Sequence, residues 1–219
     1  MKRKKAAFLV GVIVLFIAGT NFIVDSDIKG KVVCFGDSIT NGAEVAGDSW
    51  VHYLKQSHPQ VNFVNAGRNG RKTADKSELL PVLKSHPDMD YFLIFLGVND
   101  LKNGNEKMVE QCVQNMRWMI EKVRAMNPET NIVILAPTDI NLQTMAPINV
   151  QKQYNENTKQ SLVMLRNRYK ELAEQESTGF ISLLDAVSPP NYTDGLHPNR
   201  AGHREIAQAV WNGLAELFK

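Results

Sequence analysis

The sequence predicts an α/β protein built on one parallel sheet with helices packed on both faces. Two features of the pattern carry that prediction. Short apolar runs alternate with longer stretches of helical period along most of the chain, and a βαβα order implies parallel strands joined by right-handed crossovers. One run, Tyr91-Phe92-Leu93-Ile94-Phe95-Leu96, is apolar without interruption, as suits a strand covered on both faces. No internal repeat, low-complexity tract or second domain interrupts the alternation.

In chain order, strands are expected at Lys31–Phe35, Val61–Asn65, Tyr91–Leu96, Ile132–Ala136 and Phe180–Leu183. Helices are expected at Asp48–Ser57, Thr73–Leu83, Glu106–Met126, Gln151–Glu174 and Asn199–Phe218. In the third helix Met108, Cys112, Met116, Met119 and Val123 recur at helical spacing. Such a stripe reads as core packing rather than a functional surface. In the last helix Ile206, Val210 and Leu214 repeat the pattern.

The N-terminus departs from globular composition. Lys2, Arg3, Lys4 and Lys5 precede an apolar run from Ala6 to Ala18, which Phe22-Ile23-Val24 extends after a short break. A basic cluster ahead of an apolar core is a secretory signal pattern. Counted through Val24, the segment is also just long enough to span a bilayer. Ala18-Gly19-Thr20 matches a cleavage site only weakly, so the reading leans toward an uncleaved anchor. The expected division is a signal peptide or membrane anchor over 1–24, a linker over 25–30 and a folded domain over 31–219. The domain is then exported, either held at a membrane through residues 6–24 or released after cleavage, with the basic residues on the cytoplasmic side.

The remaining bounds are simple. The 219 residues suffice for a core without staples. The formal charge is +2, but without the N-terminal cluster the balance is 21 basic residues against 23 acidic. A body this near to neutral excludes a nucleic-acid footprint. Cys34 falls in the first strand and Cys112 in the third helix, without metal-ligand spacing, and both are expected as buried free thiols.

A parallel sheet presents its chemistry at the carboxyl ends of its strands, and the residues there are small or polar. Gly36-Asp37-Ser38 follows the first strand, and Asn65-Ala66-Gly67-Arg68-Asn69-Gly70 completes the second. Gly97-Val98-Asn99-Asp100 follows the third, and Asp194-Gly195-Leu196-His197-Pro198 lies beyond the fifth. Taken singly, each is ordinary turn or helix-entry chemistry. Taken together, they offer Ser38 as a nucleophile and His197 as its base. Asp194, three residues earlier, would orient the imidazole, because a serine must lose its proton to a positioned base. The N–H groups of Ser38 and Gly67 and the Asn99 amide are candidate donors to a developing oxyanion. Asp37 is expected to shape the turn rather than to join the triad.

These four blocks resemble the signature of the GDSL esterases, or SGNH hydrolases, named for a serine, a glycine, an asparagine and a histidine. The matches are Ser38 in Phe35-Gly36-Asp37-Ser38-Ile39-Thr40, Gly67, Asn99 and His197, in family order across residues 35–198. Ile39 replaces the usual leucine. Asn69 stands where many members carry serine, a variant similar to arylesterase-type members. The resemblance implies a flavodoxin-like three-layer α/β/α sandwich with a five-stranded parallel sheet. It also implies a Ser38–His197–Asp194 triad, an oxyanion hole of Ser38, Gly67 and Asn99, and no metal or organic cofactor.

The implied activity is cleavage of a small carboxylic ester (an acyl ester, a lipid or an acetylated glycan) through an acyl-enzyme on Ser38. Cell-envelope carbohydrate O-deacetylation and lysophospholipase or thioesterase activity would use the same triad. A noncatalytic glycan-binding module and an acyltransferase are the remaining alternatives. For the substrate pocket, Arg68 and Arg71 are candidates to attract an anionic group, against the commoner reading of solvated arginines. Asp139, in the loop Thr138–Ile148, is expected to help shape the pocket.

Overall fold

The computed structural model describes residues 28–219. It holds a five-stranded, all-parallel sheet in the order β2-β1-β3-β4-β5. The strands are β1 (Gly30–Gly36), β2 (Val61–Gly67), β3 (Tyr91–Phe95), β4 (Asn131–Ala136) and β5 (Gly179–Ser182). The helices are α1 (Ser38–Asn41), α2 (Trp50–Ser57), α3 (Leu79–Ser85), α4 (Glu106–Met126), α5 (Pro147–Gln151), α6 (Glu156–Glu176) and α7 (Arg200–Leu217).

Side-chain alternation along the strands divides the core in two. Val33, Phe35, Phe92, Ile94, Ile132 and Ile134 face a cluster completed by α3, α4 and α6. Val32, Cys34, Leu93, Phe95, Val133 and Leu135 face one completed by α2 and α7. This is the expected three-layer sandwich. The methionine stripe of α4 is core, since Cys112, Met116 and Met119 are buried. Cys34 and Cys112 are free and belong to opposite core layers, a separation that rules out a bond between them.

Where helix boundaries depart from expectation, local chemistry accounts for it. The stretch expected as one helix from Gln151 is cut at Gln153, whose φ of 66° no α-helix holds. Helix α6 restarts behind Asn155, which accepts from the Thr158 N–H while the Thr158 hydroxyl accepts from the Asn155 N–H. This reciprocal cap satisfies two terminal donors at once. The helix expected from Thr73 begins only at Leu79, after a 3₁₀ turn at Lys76–Glu78. Asp100 instead takes the N–H and hydroxyl of Thr73, fixing that residue in a loop. Asn199 caps α7 by accepting from the Ala201 and Gly202 N–H groups.

The segment expected to signal or anchor, 1–24, lies outside the described residues, as does the first half of the linker. Ile28 is already buried in the α2/α7 layer and Gly30 opens β1. The chain therefore enters the sheet at the edge opposite the carboxyl ends of the strands. Among the described residues no helix is long and apolar enough to cross a membrane.

Candidate active site

The strand order reverses direction at β1, so the loops after β1 and β3 leave the sheet on either side of a crevice. Ser38 stands on one wall and Asn99 on the other. Ser38 is the first residue of α1, behind Asp37, whose Oδ1 accepts from the Ile39 N–H at 3.0 Å. Turn-shaping is thus the observed role of that carboxylate, as expected. At the helix start the Ser38 N–H has no intrahelical acceptor.

His197 reaches the same crevice from the far end of the chain. Its Nε2 lies 3.0 Å from the Ser38 Oγ, and its Nδ1 lies 2.9 Å from the Asp194 Oδ2. Asp194 is held by more than the ring. Its Oδ1 accepts from the N–H groups of Leu196 (3.0 Å) and His197 (2.7 Å), and its Oδ2 also accepts from the Asn149 amide at 2.9 Å. Burial works against the Asp194 charge, but the bonds from His197 and Asn149 outweigh it and hold the carboxyl well below the usual range. Asp194 therefore stays an anionic acceptor that fixes the imidazole tautomer. Another histidine, His203, is buried and receives the Trp50 N–H on Nδ1. Burial first, then His197, push it down to about 4, leaving it a neutral core residue.

Asn99 is clamped from both ends of its amide. Its Oδ1 accepts from the Tyr154 hydroxyl at 2.9 Å, while its Nδ2 faces the Asp37 Oδ2 and the Arg71 carbonyl, each at 3.3 Å. Tyr154 is buried, with 2 % exposure. Its hydroxyl decides which end of the amide is donor: the oxygen faces Tyr154 and the NH₂ group faces Asp37 and the Arg71 carbonyl. Burial foremost pushes the Asp37 carboxyl up to about 7, with the Ile39 N–H and His197 pulling the other way.

Two expectations are corrected on the β2 side. Gly67 is not a free donor, since its N–H bonds the Asn65 Oδ1 at 2.9 Å. A Cβ there would lie 2.3 Å from the Asn41 nitrogen, so the glycine serves close packing of β2 against α1. Gly70, at φ +74°, lines the cleft instead, and its N–H has no acceptor among the described residues. Arg71 is neither solvated nor in the pocket. It is 5 % exposed, and its Nη1 donates to the carbonyls of Gly36 (2.5 Å) and Ala66 (2.6 Å). Its Nε bonds Glu78 at 2.8 Å, and the guanidinium lies 4.0 Å from the Phe35 ring centroid.

Arg68 is half exposed and paired with Asp75 and Glu78, outside the cleft lining. Asp139 is also outside it. That residue pairs with Lys159 and lines a separate cavity of about 580 Å³ between the loops after β4 and β5. The loop that carries it contributes differently: its carbonyl at Asn141 and its backbone at Met145 pack on Gly195, and Asn149 beyond it bonds Asp194.

The cleft at Ser38 measures about 240 Å³, with Gly70, Asn99, Lys102, Lys152, Tyr154 and His197 among its walls. Gly70, Asn149, Tyr154 and the two lysines are contributions that the sequence motifs do not single out. Among the described residues no group of three or more His, Cys, Asp or Glu is placed to hold a metal ion.

Comparison with known proteins bears on the family and the fold. The model of the GDSL-like lipase/acylhydrolase family matches residues 34–205. The uncharacterized esterase YxiM of Bacillus subtilis (strain 168) is 27% identical over 176 residues, covering 74% of this chain. The chain spans 44% of that relative's length. A carbohydrate acetylesterase family member from Sinorhizobium meliloti superposes with a TM-score of 0.72 at 21% identity, over 87% of this chain and 99% of its own. A catalytic mutant of Axe2, an acetylxylan esterase from Geobacillus stearothermophilus, gives 0.68 at 18% identity over 85% and 95% of the two chains. At these identities the two structures establish the shared fold.

Two outcomes follow from the buried charges. Arg71→Met removes a donor from the Ala66 carbonyl, from Glu78 and from the Gly36 carbonyl, which keeps the Arg68 N–H, and urea unfolding is expected to show a loss of about 1–3 kcal/mol. Asp37 binds its proton more tightly in the folded chain than in the unfolded one, so between about pH 4 and pH 7 the native state holds the extra proton. Stability from this group therefore falls as pH rises through that window. Asp37→Asn keeps an oxygen for the Ile39 N–H and is expected to flatten the change in Tm from pH 4.5 to 7.5. An unchanged slope in thermal melts would count against a buried, proton-binding Asp37.

Proposed function

This chain belongs to the GDSL-like lipase/acylhydrolase family, and we propose that it hydrolyses carboxylic esters through an acyl-enzyme on Ser38. The observation that carries this reading is the unbroken relay from Ser38 Oγ to His197 Nε2 and from His197 Nδ1 to Asp194, at 3.0 and 2.9 Å. His197 takes the Ser38 proton as Oγ attacks the ester carbonyl, and Asp194 stabilises the imidazolium that forms. The same histidine delivers the proton to the departing alcohol. Water, deprotonated by His197, then cleaves the acyl-enzyme and restores the Ser38 hydroxyl. The oxyanion donors in this reading are the N–H groups of Ser38 and Gly70, Gly70 taking the place expected of Gly67, with the Asn99 amide, whose 3.3 Å contacts to Asp37 and the Arg71 carbonyl are long and would yield to a developing charge. Losing one such donor typically costs on the order of 10²–10³ in turnover.

The substrate is proposed to carry a short acyl group. At about 240 Å³ the cleft is smaller than the usual ligand pocket, and Ala43, Leu196 and the Tyr154 ring are its apolar walls. That space suits an acetyl group, as in an O-acetylated glycan, better than a fatty acyl chain. We further propose that residues 6–24 hold the domain at a membrane, with the basic cluster on the cytoplasmic side. Because β1 enters from the edge opposite the rim, the cleft then faces away from the bilayer, toward envelope or soluble esters.

Hydrolysis of p-nitrophenyl esters of increasing length tests the activity. Acetate and butyrate are expected to be turned over and palmitate not, and Ser38→Ala is expected to lower kcat on the order of 10⁴-fold or more. Turnover that survives Ser38→Ala sinks the acyl-enzyme. For the anchor, the full-length chain is expected to stay in the membrane pellet after an alkaline wash. Recovery as a shorter soluble product would show cleavage instead.

A further inference from the structure

The Ser38 cleft is lined by two lysines, with one carboxylate, Glu44, also in its lining. Lys102, on the loop after Asn99, and Lys152, at the C-terminal cap of α5, both line it. Neither takes part in an ion pair among the described residues. The acid nearest in sequence to Lys102 is already committed, because Asp100 accepts from the Thr73 N–H and hydroxyl. Glu44 is the acidic residue in the cleft lining, on the segment that follows α1 rather than on the loops that bear the lysines.

The backbone under these lysines is built, not loose. The Asn103 N–H donates to the Gln153 carbonyl at 2.7 Å, and the Asn103 Oδ1 accepts from the amides of Asn155 (3.0 Å) and Asn157 (2.9 Å). Asn103 and Gln153 hold φ angles of 46° and 66°, a conformation such residues adopt at a cost and keep only where neighbours determine it. The Lys102 Nζ lies 5.4 Å from the Tyr154 ring centroid. Burial, then Lys72 and Lys152, lower its proton affinity, with Asp100 opposing. Two like charges are thus held close on adjoining, cross-linked loops beside the nucleophile, where an anion would relieve their repulsion.

We propose that Lys102 and Lys152 form a subsite for a carboxylate of the ester substrate, so that the natural ester joins a short acyl group to an acidic molecule or is itself the ester of a diacid. This inference rests on the esterase reading, and the test separates the two. Four esters are compared: 4-acetoxybenzoate, with the carboxylate on the alcohol side; 4-nitrophenyl hemisuccinate, with it on the acyl side; and the neutral methyl ester of each. For one of the two anionic esters, wild type is expected to show a lower KM than for its neutral counterpart. In Lys102→Gln/Lys152→Gln the ratio of kcat/KM, anionic over neutral, is expected to fall about three- to tenfold. In wild type the same ratio is expected to shrink in ~0.5 M salt, where the Debye length is only a few ångströms. Which ester responds tells whether the acid sits on the alcohol or the acyl side. Equal KM values for charged and neutral esters, or a ratio untouched by the double substitution, overturns the subsite. Calorimetric binding of the same esters to Ser38→Ala needs no turnover. Weaker binding of the anionic ester after adding the two glutamines supports the subsite even if hydrolysis fails, and unchanged binding overturns it.

Discussion

The rim of this sheet is held together by one buried guanidinium. Arg71 reaches the carbonyls that end β1 and β2, pairs with Glu78 and lies against the Phe35 ring, while its own carbonyl faces the Asn99 amide after β3. A charge taken out of water is costly unless its donors are matched, and here two of the partners are carbonyls at the ends of strands that must stay in register. The ends of three neighbouring strands are thereby tied through a single residue, two by its side chain and the third by its backbone carbonyl. Ser38, two residues beyond Gly36, and Asn99, beside the Arg71 carbonyl, inherit that rigidity. A nucleophile and an oxyanion donor on separate loops need it, because catalysis is sensitive to errors of about an ångström in placement.

The far wall of the site is organised by a different charge. Asp194 collects two backbone N–H groups of its own turn, the imidazole and the Asn149 amide. One carboxylate thus shapes the turn and orients the base within it. The turn in turn packs against the loop after β4, where Gly195 leaves no room for a Cβ beside Asn141 and Met145. Two anchoring charges, Arg71 on one side and Asp194 on the other, set the distance that His197 spans to reach Ser38.

How much of this was legible differs from residue to residue. The strands were readable because a parallel sheet covered on both faces needs unbroken apolar runs, as in Tyr91–Phe95. Ser38, Asn99, Asp194 and His197 were readable because each follows a strand or opens a helix within a short local motif. The second oxyanion glycine was misplaced. Gly67 and Gly70 stand three apart in one loop, and which of them is packed and which lines the cleft depends on Asn65 and on the Asn41 backbone. Arg71 looked like a surface arginine in a polar loop, since nothing in its neighbours along the chain announces the two carbonyls and the ring waiting for it.

By itself, then, the sequence determined the layer order, the strands and which motifs stand at the strand ends, because hydrophobic period and local turn chemistry act over a few residues. The tertiary structure decided which groups are held, which are free and which are spent on packing. Tyr154 sets the Asn99 amide from 55 residues away, Asn149 holds Asp194 from 45, and the two lysines line one cleft on loops joined by the bond from Asn103 to Gln153. Contacts at such separations leave no local pattern. They come into being when the sheet closes and brings the loops of β1, β3, β4 and β5 to one edge.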